Sequence, residues 1–274
     1  MYYLGQVENQ MVQLIDDYYD CIYVLKGRDR SLVIDLGMSK DIIKPVLEEH
    51  IENDYDVVCT HGHIDHVGRS GEFDHIYMSL NDKEVFLDNF RFEQPRDRFT
   101  NTEGLDFIEY DKILDMKEEF DLGDRKIYSI PCFGHTAGCH ILVDPVNKYI
   151  FTGDAIGAGC GVWMQVDRAL SIEEYYHSLV HLYNKLKEFG ADENWKFFGG
   201  HAFQEYHSKV SEFNKFDIYL LEDMVELCDM LLHDNVEYVP RKIRRFSTGQ
   251  PYFAHHKKAE LIFTLKQIGI NEDI

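Results

Sequence analysis

Histidine and aspartate crowd one short run of the chain. His61, His63 and His66 fall with Asp65 in His61-Gly62-His63-Ile64-Asp65-His66, directly after the apolar stretch Tyr55 to Thr60. Neutral imidazoles and a carboxylate are the donors that zinc, iron and manganese accept, and so dense a group can serve two ions. Three further donors follow downstream, each just after a β-rich run and each beside glycine. They are His135 in Gly134-His135-Thr136-Ala137-Gly138, Asp154 in Thr152-Gly153-Asp154 and His201 in Gly199-Gly200-His201. Glycine lets the backbone approach closely, and loops at strand ends are where chemistry is usually placed.

This order of H-x-H-x-D-H, a glycine-flanked His, an Asp and a final His resembles the metallo-β-lactamase superfamily from at least Ile34 to His201. The resemblance implies an α/β fold, an αββα sandwich of two mixed β-sheets flanked by helices. It also implies one ion held by His61, His63 and His135, a second held by Asp65, His66 and His201, and Asp154 bridging both. Two divalent cations are therefore expected, zinc first and Mn2+ or Fe2+ as alternatives. Such a pair lowers the pKa of a shared water and yields hydroxide near neutral pH, so hydrolysis is the expected chemistry. Asp65 is read either as a ligand alone or as a ligand that also orients the water, and Asp65 and Asp154 are the expected catalytic carboxylates. His63 stands where the flavodiiron branch carries Glu, which sets that branch aside. Glyoxalase II, the N-acyl homoserine lactonases, β-lactamases of the third subclass and the tRNA-maturing endonucleases share the core motif, and persulfide dioxygenases of the superfamily keep the histidines and use one iron. A small ester, thioester or lactone is the expected substrate, with β-lactam, phosphodiester and persulfide chemistry as the alternatives.

The elements that must position these residues can be traced from periodicity. Met11 to Ile15, Cys21 to Leu25 and Ser31 to Ile34 predict an antiparallel meander. A helix is expected around Asp41 to Ile51, with Pro45 in its first turn. Strands are expected at Lys126 to Ile130, His140 to Val143, Tyr149 to Phe151 and Trp195 to Phe198, so the second half repeats the design of strand then polar loop. Ser171 to Glu174 spells a capping box, and Ile172, Tyr175, Leu179, Leu182, Leu186 and Phe189 keep helical spacing up to Gly190. A second long helix is expected from about Val210, with Phe213, Phe216, Leu220, Met224, Leu227 and Leu231 facing inward. No linker divides the chain, so 1–274 reads as a single domain with a helical and short-strand C-terminal extension from about 207.

Three regions are candidates for selectivity. Gly157 to Met164 follows Asp154 and carries Cys160, read as structural, and Trp163, either a pocket wall or a core residue. Arg91 to Asp106, with Phe90, Phe92 and Phe99, is a loop that could be a lid, a subunit contact or plain surface. Arg241 to Lys258, including Arg244 and His255, is either a clamp for a substrate anion or a solvated edge balancing acidic neighbours.

Composition narrows the partners. Lys and Arg number 28 against 49 Asp and Glu, a net charge of −21, which opposes polynucleotides and anionic membrane surfaces. Hydrophobic residues make 45% of 274 residues, enough for a sizeable core and too evenly spread for a bilayer-spanning run. The six cysteines have no paired C-x-x-C spacing, and the N-terminus lacks a basic-then-apolar leader pattern. A cytoplasmic protein with reduced thiols, acting on a small molecule as a monomer or homodimer, is the resulting expectation.

Overall fold

The computed structural model describes residues 1–90, 102–157, 161–202, 216–242, 247 and 249–270. Its contacts group into two compact units, Met1–Ser129 with Leu142–Asn147, and Ile130–Ile141 with Lys148–Ile274.

The first unit is built on a seven-stranded sheet whose spatial order follows the chain: β1 (Tyr2–Glu8), β2 (Met11–Asp16), β3 (Cys21–Leu25), β4 (Ser31–Ile34), β5 (Tyr55–Val58), β6 (Ile76–Tyr77) and β7 (Ile113–Leu114). β1 to β4 pair antiparallel, and β4 to β7 pair parallel. Every residue of β3 and β4 is buried, as expected of strands covered on both faces, and Ile22, Val24, Val33, Val57 and Cys59 pack in one core with Leu47 and Phe86. Asp16 ties the turn after β2 to the loop after β4. Its Oδ1 accepts the Tyr18 and Asp20 amides, and its Oδ2 accepts those of Met38 and Ser39. Three short helices follow strands here: α1 (Lys44–Glu48), α2 (Ile64–Val67) and α3 (Lys83–Asp88). α1 is shorter than the helix expected over Asp41 to Ile51, because the Glu72 carboxylate accepts the Ile43 and Lys44 amides and so starts the helix from outside its own sequence.

A second sheet has the order β13-β11-β10-β9-β8, from β8 (Glu119–Asp121), β9 (Lys126–Pro131), β10 (His140–Asp144), β11 (Tyr149–Gly153) and β13 (Lys196–Gly199). It is mixed, with β8 antiparallel to β9 and β11 parallel to β13.

Within the second unit, α4 (Ile172–Glu188) carries the capping box as read: Ser171 Oγ accepts the Glu174 amide, and the Glu174 carboxylate accepts the Ser171 amide. Its buried stripe is Ile172, Tyr175, Leu179, Leu182 and Leu186. α5 (Ile218–Leu232) begins later than expected because the Asp217 side chain caps the Leu220 amide, which leaves Phe216 ahead of the helix. Residues 210–215, with Phe213, lie outside the described residues. A four-stranded sheet, ordered β12-β16-β15-β14, combines β12 (Val162–Trp163) with β14 (Tyr238–Pro240), β15 (Pro251–His256) and β16 (Ala259–Thr264). No described helix is long and apolar enough to cross a membrane.

Candidate metal centre

In the first unit β5 runs out at Val58 and hands the chain to Thr60, His61 and the one-turn helix α2. His63 is the extended N-cap of that helix, so His61 and His63 stand before it, with Asp65 and His66 on its single turn. His61 Nε2 and His63 Nδ1 face each other at 3.0 Å, and the His61 and His66 rings lie 3.9 Å apart between centroids. His66 Nε2 lies 3.8 Å from Asp65 Oδ1. His61 and His66 are buried, whereas His63 and Asp65 are half-buried.

Asp35, at the end of β4, orients this group. Its Oδ2 accepts His66 Nδ1 at 2.9 Å, and its Oδ1 accepts the Thr60 amide at 2.7 Å. A carboxylate only accepts, so Nδ1 carries the proton and Nε2 keeps the lone pair a metal needs. The peptide between His61 and His63 is gripped as well. The Gly62 amide donates to Asp82 Oδ2, and Asn89 Nδ2 donates to the Gly62 carbonyl, both at 2.9 Å.

In the second unit His135 follows β9, Asp154 follows β11 and His201 follows β13, each at a strand end as the sequence suggested. The Asp154 carboxylate lies beside two rings: its Oδ1 and Oδ2 are 3.2 and 3.3 Å from His201 Nε2, and Oδ2 is also 3.8 Å from His135 Nε2. His135 Nδ1 donates to the Trp163 carbonyl at 2.8 Å, which again leaves the lone pair on Nε2. Tyr175 of α4 braces both loops. A Cβ on Gly134 would stand 2.1 Å from its ring, and its hydroxyl donates to the Ala155 carbonyl at 2.8 Å.

These residues fit divalent metal ions by the chemistry of their donor set. In each unit imidazole nitrogens and a carboxylate sit within a few ångströms of one another, and His66 and His135 are locked with the protonated nitrogen turned away. Oxygen-bonded imidazoles beside carboxylates are the donors of zinc, manganese and iron(II) sites.

The selectivity candidates divide. Phe90 is 51% exposed, with its ring 4.8 Å from Phe107 and 5.5 Å from Phe86. Trp163 is half-buried, and its backbone carbonyl is what meets His135. His255 is exposed on β15 opposite Glu260. Phe92, Phe99, Cys160, Arg244 and Arg245 lie outside the described residues, as does most of the expected lid. The cations of the β15–β16 turn are engaged by acids on and before α5: Lys257 meets Glu226 and Asp223, His256 meets Glu226, and Lys258 meets Asp217. At this turn the three cations are balanced by acids.

Sequence reasoning passed over Asp35, Asp82, Asn89 and the bracing role of Tyr175. Asp35 alone had a signal, since it ends an apolar strand just as the other site residues do.

The model of the metallo-beta-lactamase superfamily matches residues 20–201. A hydroxyacylglutathione hydrolase of Pelagibacter ubique is 28% identical over 241 residues, covering 87% of this chain and 89% of the relative. A probable polyketide biosynthesis zinc-dependent hydrolase, BaeB of Bacillus velezensis, is 29% identical over 163 residues, 57% of this chain and 64% of the relative. The structure of a metallo-beta-lactamase from Pontibacter korlensis superposes with a TM-score of 0.56 at 14% identity, covering 84% of this chain and 99% of that one, a likeness of fold. With the full series of histidines and aspartates in order, mixed sheets flanked by helices and a match across the span that contains them all, the chain belongs to the metallo-beta-lactamase superfamily.

Proposed function

We propose that this protein is a binuclear, metal-dependent hydrolase that cleaves a small ester, thioester or lactone in the cytoplasm. In this reading His61, His63 and His135 hold one ion, Asp65, His66 and His201 hold the other, and Asp154 serves both. The observation that carries it is the position of the Asp154 carboxylate beside two rings, with His201 Nε2 at 3.2 and 3.3 Å from its oxygens and His135 Nε2 at 3.8 Å from Oδ2. Zinc is the first choice of metal, supported by the donor set and by a relative described as zinc-dependent.

When bound, a pair of such cations supplies a water nucleophile active near neutral pH and a Lewis acid for the substrate oxygen. The chain's own residues set up that chemistry. Asp35 and the Trp163 carbonyl keep protons on the Nδ1 atoms of His66 and His135, so both rings present Nε2. Asp65, half-buried on α2, can accept a hydrogen bond from water at Oδ1 and aim its lone pair at a carbonyl carbon. An acyl thioester heads the substrate list because the relative matched along most of the chain is a hydroxyacylglutathione hydrolase. Polynucleotides stand last: the net charge is −21, and Lys257 and Lys258 are already paired with acids.

The test joins elemental analysis after zinc reconstitution to a panel of ester, thioester, lactone, β-lactam and phosphodiester substrates. Two ions per chain and turnover of an ester, thioester or lactone are expected, with Asp154→Ala lowering kcat at least ~10³-fold and His255→Ala leaving metal content intact. Trace metal only, or salt-sensitive nucleic-acid cleavage with no small-substrate turnover, overturns the reading.

A further inference from the structure

We infer that Gln267 is a positioning residue for His135, acting from a part of the chain beyond the stretch that matches the superfamily. The inference rests on the reading of His135 as a metal ligand. The superfamily match ends at His201, whereas β16 and Gln267 follow it by more than fifty residues.

His135 is steered by two backbone contacts. Its Nδ1 donates to the Trp163 carbonyl at 2.8 Å, and the carbonyl of its neighbour Gly134 accepts the Leu170 amide at 2.8 Å. Segments 163–164 and 170 therefore decide where the ring sits and which nitrogen keeps the lone pair. Neither belongs to a long element: β12 is two residues, and Leu170 precedes the N-cap of α4. Such short segments have little backbone pairing of their own and must be held from elsewhere.

Both are held by the C-terminal segment. β12 pairs parallel with β16, placing Trp163 beside Ile262, and the Ile262 carbonyl accepts the amides of Met164 and Gln165 at 2.8 and 3.1 Å. The Gln267 carboxamide then joins the two segments. Its Nε2 donates to the carbonyls of Met164 and of Leu170, the latter at 3.0 Å. Its Oε1 accepts the Thr264 amide at 2.9 Å, fixing the carboxamide plane at the end of β16. One side chain thus clamps the peptide next to Trp163 and the residue that bonds Gly134. An amide suits this task because two N–H donors and an acceptor are needed in one plane.

The test is titration of apoprotein with Co2+ against a competing chelator, wild type beside Gln267→Met, which keeps the length and loses the hydrogen bonds. The expected result is two Co2+ in both proteins, with one ion bound about tenfold more weakly and its visible absorption band altered in the variant, the low end of the effect of outer-shell partners. In the metal-free proteins, nitrogen-15 NMR should show the His135 ring passing from a single Nδ1–H tautomer to a mixture. Gln267→Glu, which keeps the Thr264 cap but turns an acceptor toward two carbonyls, should shift both readouts the same way and serves if the Met variant does not fold. A purely structural role lowers the unfolding midpoint while leaving Co2+ affinity and the His135 tautomer as in wild type, and that result overturns the inference. If wild type itself binds no Co2+, the ligand assignment fails, and the NMR comparison still decides whether Gln267 governs the ring.

Discussion

His66 owes its chemistry to a residue 31 positions earlier. Asp35 is buried with its carboxylate against His66 Nδ1 and the Thr60 amide, so the proton is parked on the side away from the proposed metal. Asp35→Asn makes this testable. Its carbonyl oxygen is claimed by the Thr60 amide, so its NH2 faces Nδ1 and drives the ring proton to Nε2. We expect roughly 10- to 100-fold weaker binding of one ion with the other little changed, read by chelator competition. Equal affinity of both ions in variant and wild type would show that the tautomer is set by something else. Trp163 illustrates a different point at this scale. Its ring was the reason to single it out, but its carbonyl makes the contact with His135, and a carbonyl survives Trp163→Ala. That variant is expected to retain both ions, so a changed substrate profile would report on the ring alone.

At the scale of elements, α4 shows how an amphipathic helix becomes part of a site. Its buried stripe follows helical spacing, and the member nearest its N-terminus after Ile172 is Tyr175, pressed on Gly134 and bonded to the Ala155 carbonyl. The helix thereby sets the height of the loops carrying His135 and Asp154. Gly134→Ala would put a methyl 2.1 Å from that ring, so either the loop or the buried tyrosine must move. The expected cost is about 1–3 kcal/mol in urea unfolding, with weakened metal binding. Wild-type stability together with wild-type metal affinity would mean that the loop yields freely. The shift of the α1 and α5 starts has the same origin. In α1 a carboxylate from outside the helix captures its first amides, and in α5 Asp217 caps where the hydrophobic spacing alone would have extended the helix toward Phe216.

For the molecule as a whole, the cysteines report on burial in both units. All five described cysteines are buried. Burial pushes the Cys132 thiol up to about 12, and burial with the nearby Asp35 charge raises Cys59 well above its ordinary value. With a pKa of about 12, roughly one Cys132 in 10⁴ is thiolate at pH 8, and the protein around it excludes reagents. Native protein should therefore leave Cys21, Cys59, Cys132, Cys139 and Cys228 unlabelled by iodoacetamide at pH 8, while denatured protein labels them all, as peptide mass spectrometry would show. Rapid labelling of native Cys132 would contradict its burial.

The sequence by itself determined the candidate donors, their order and the strand ends that carry them, because donor chemistry is a property of residue type and a β-run followed by glycine is a local signal. It also determined α4, whose cap and stripe lie within eighteen consecutive residues, Ser171 to Glu188. Only the tertiary structure decided how the proposed ligands are held. Asp35 reaches His66, Asp82 and Asn89 reach Gly62, and Gln267 reaches Met164 and Leu170, each across 20 to 103 positions that carry no periodicity to betray them. The pairing of the short C-terminal strands was hidden for a related reason. Its hairpin turns at Lys257, a residue with φ +50° where glycine or asparagine would have announced the turn, and β12 is too short to show a pattern until β16 pairs with it.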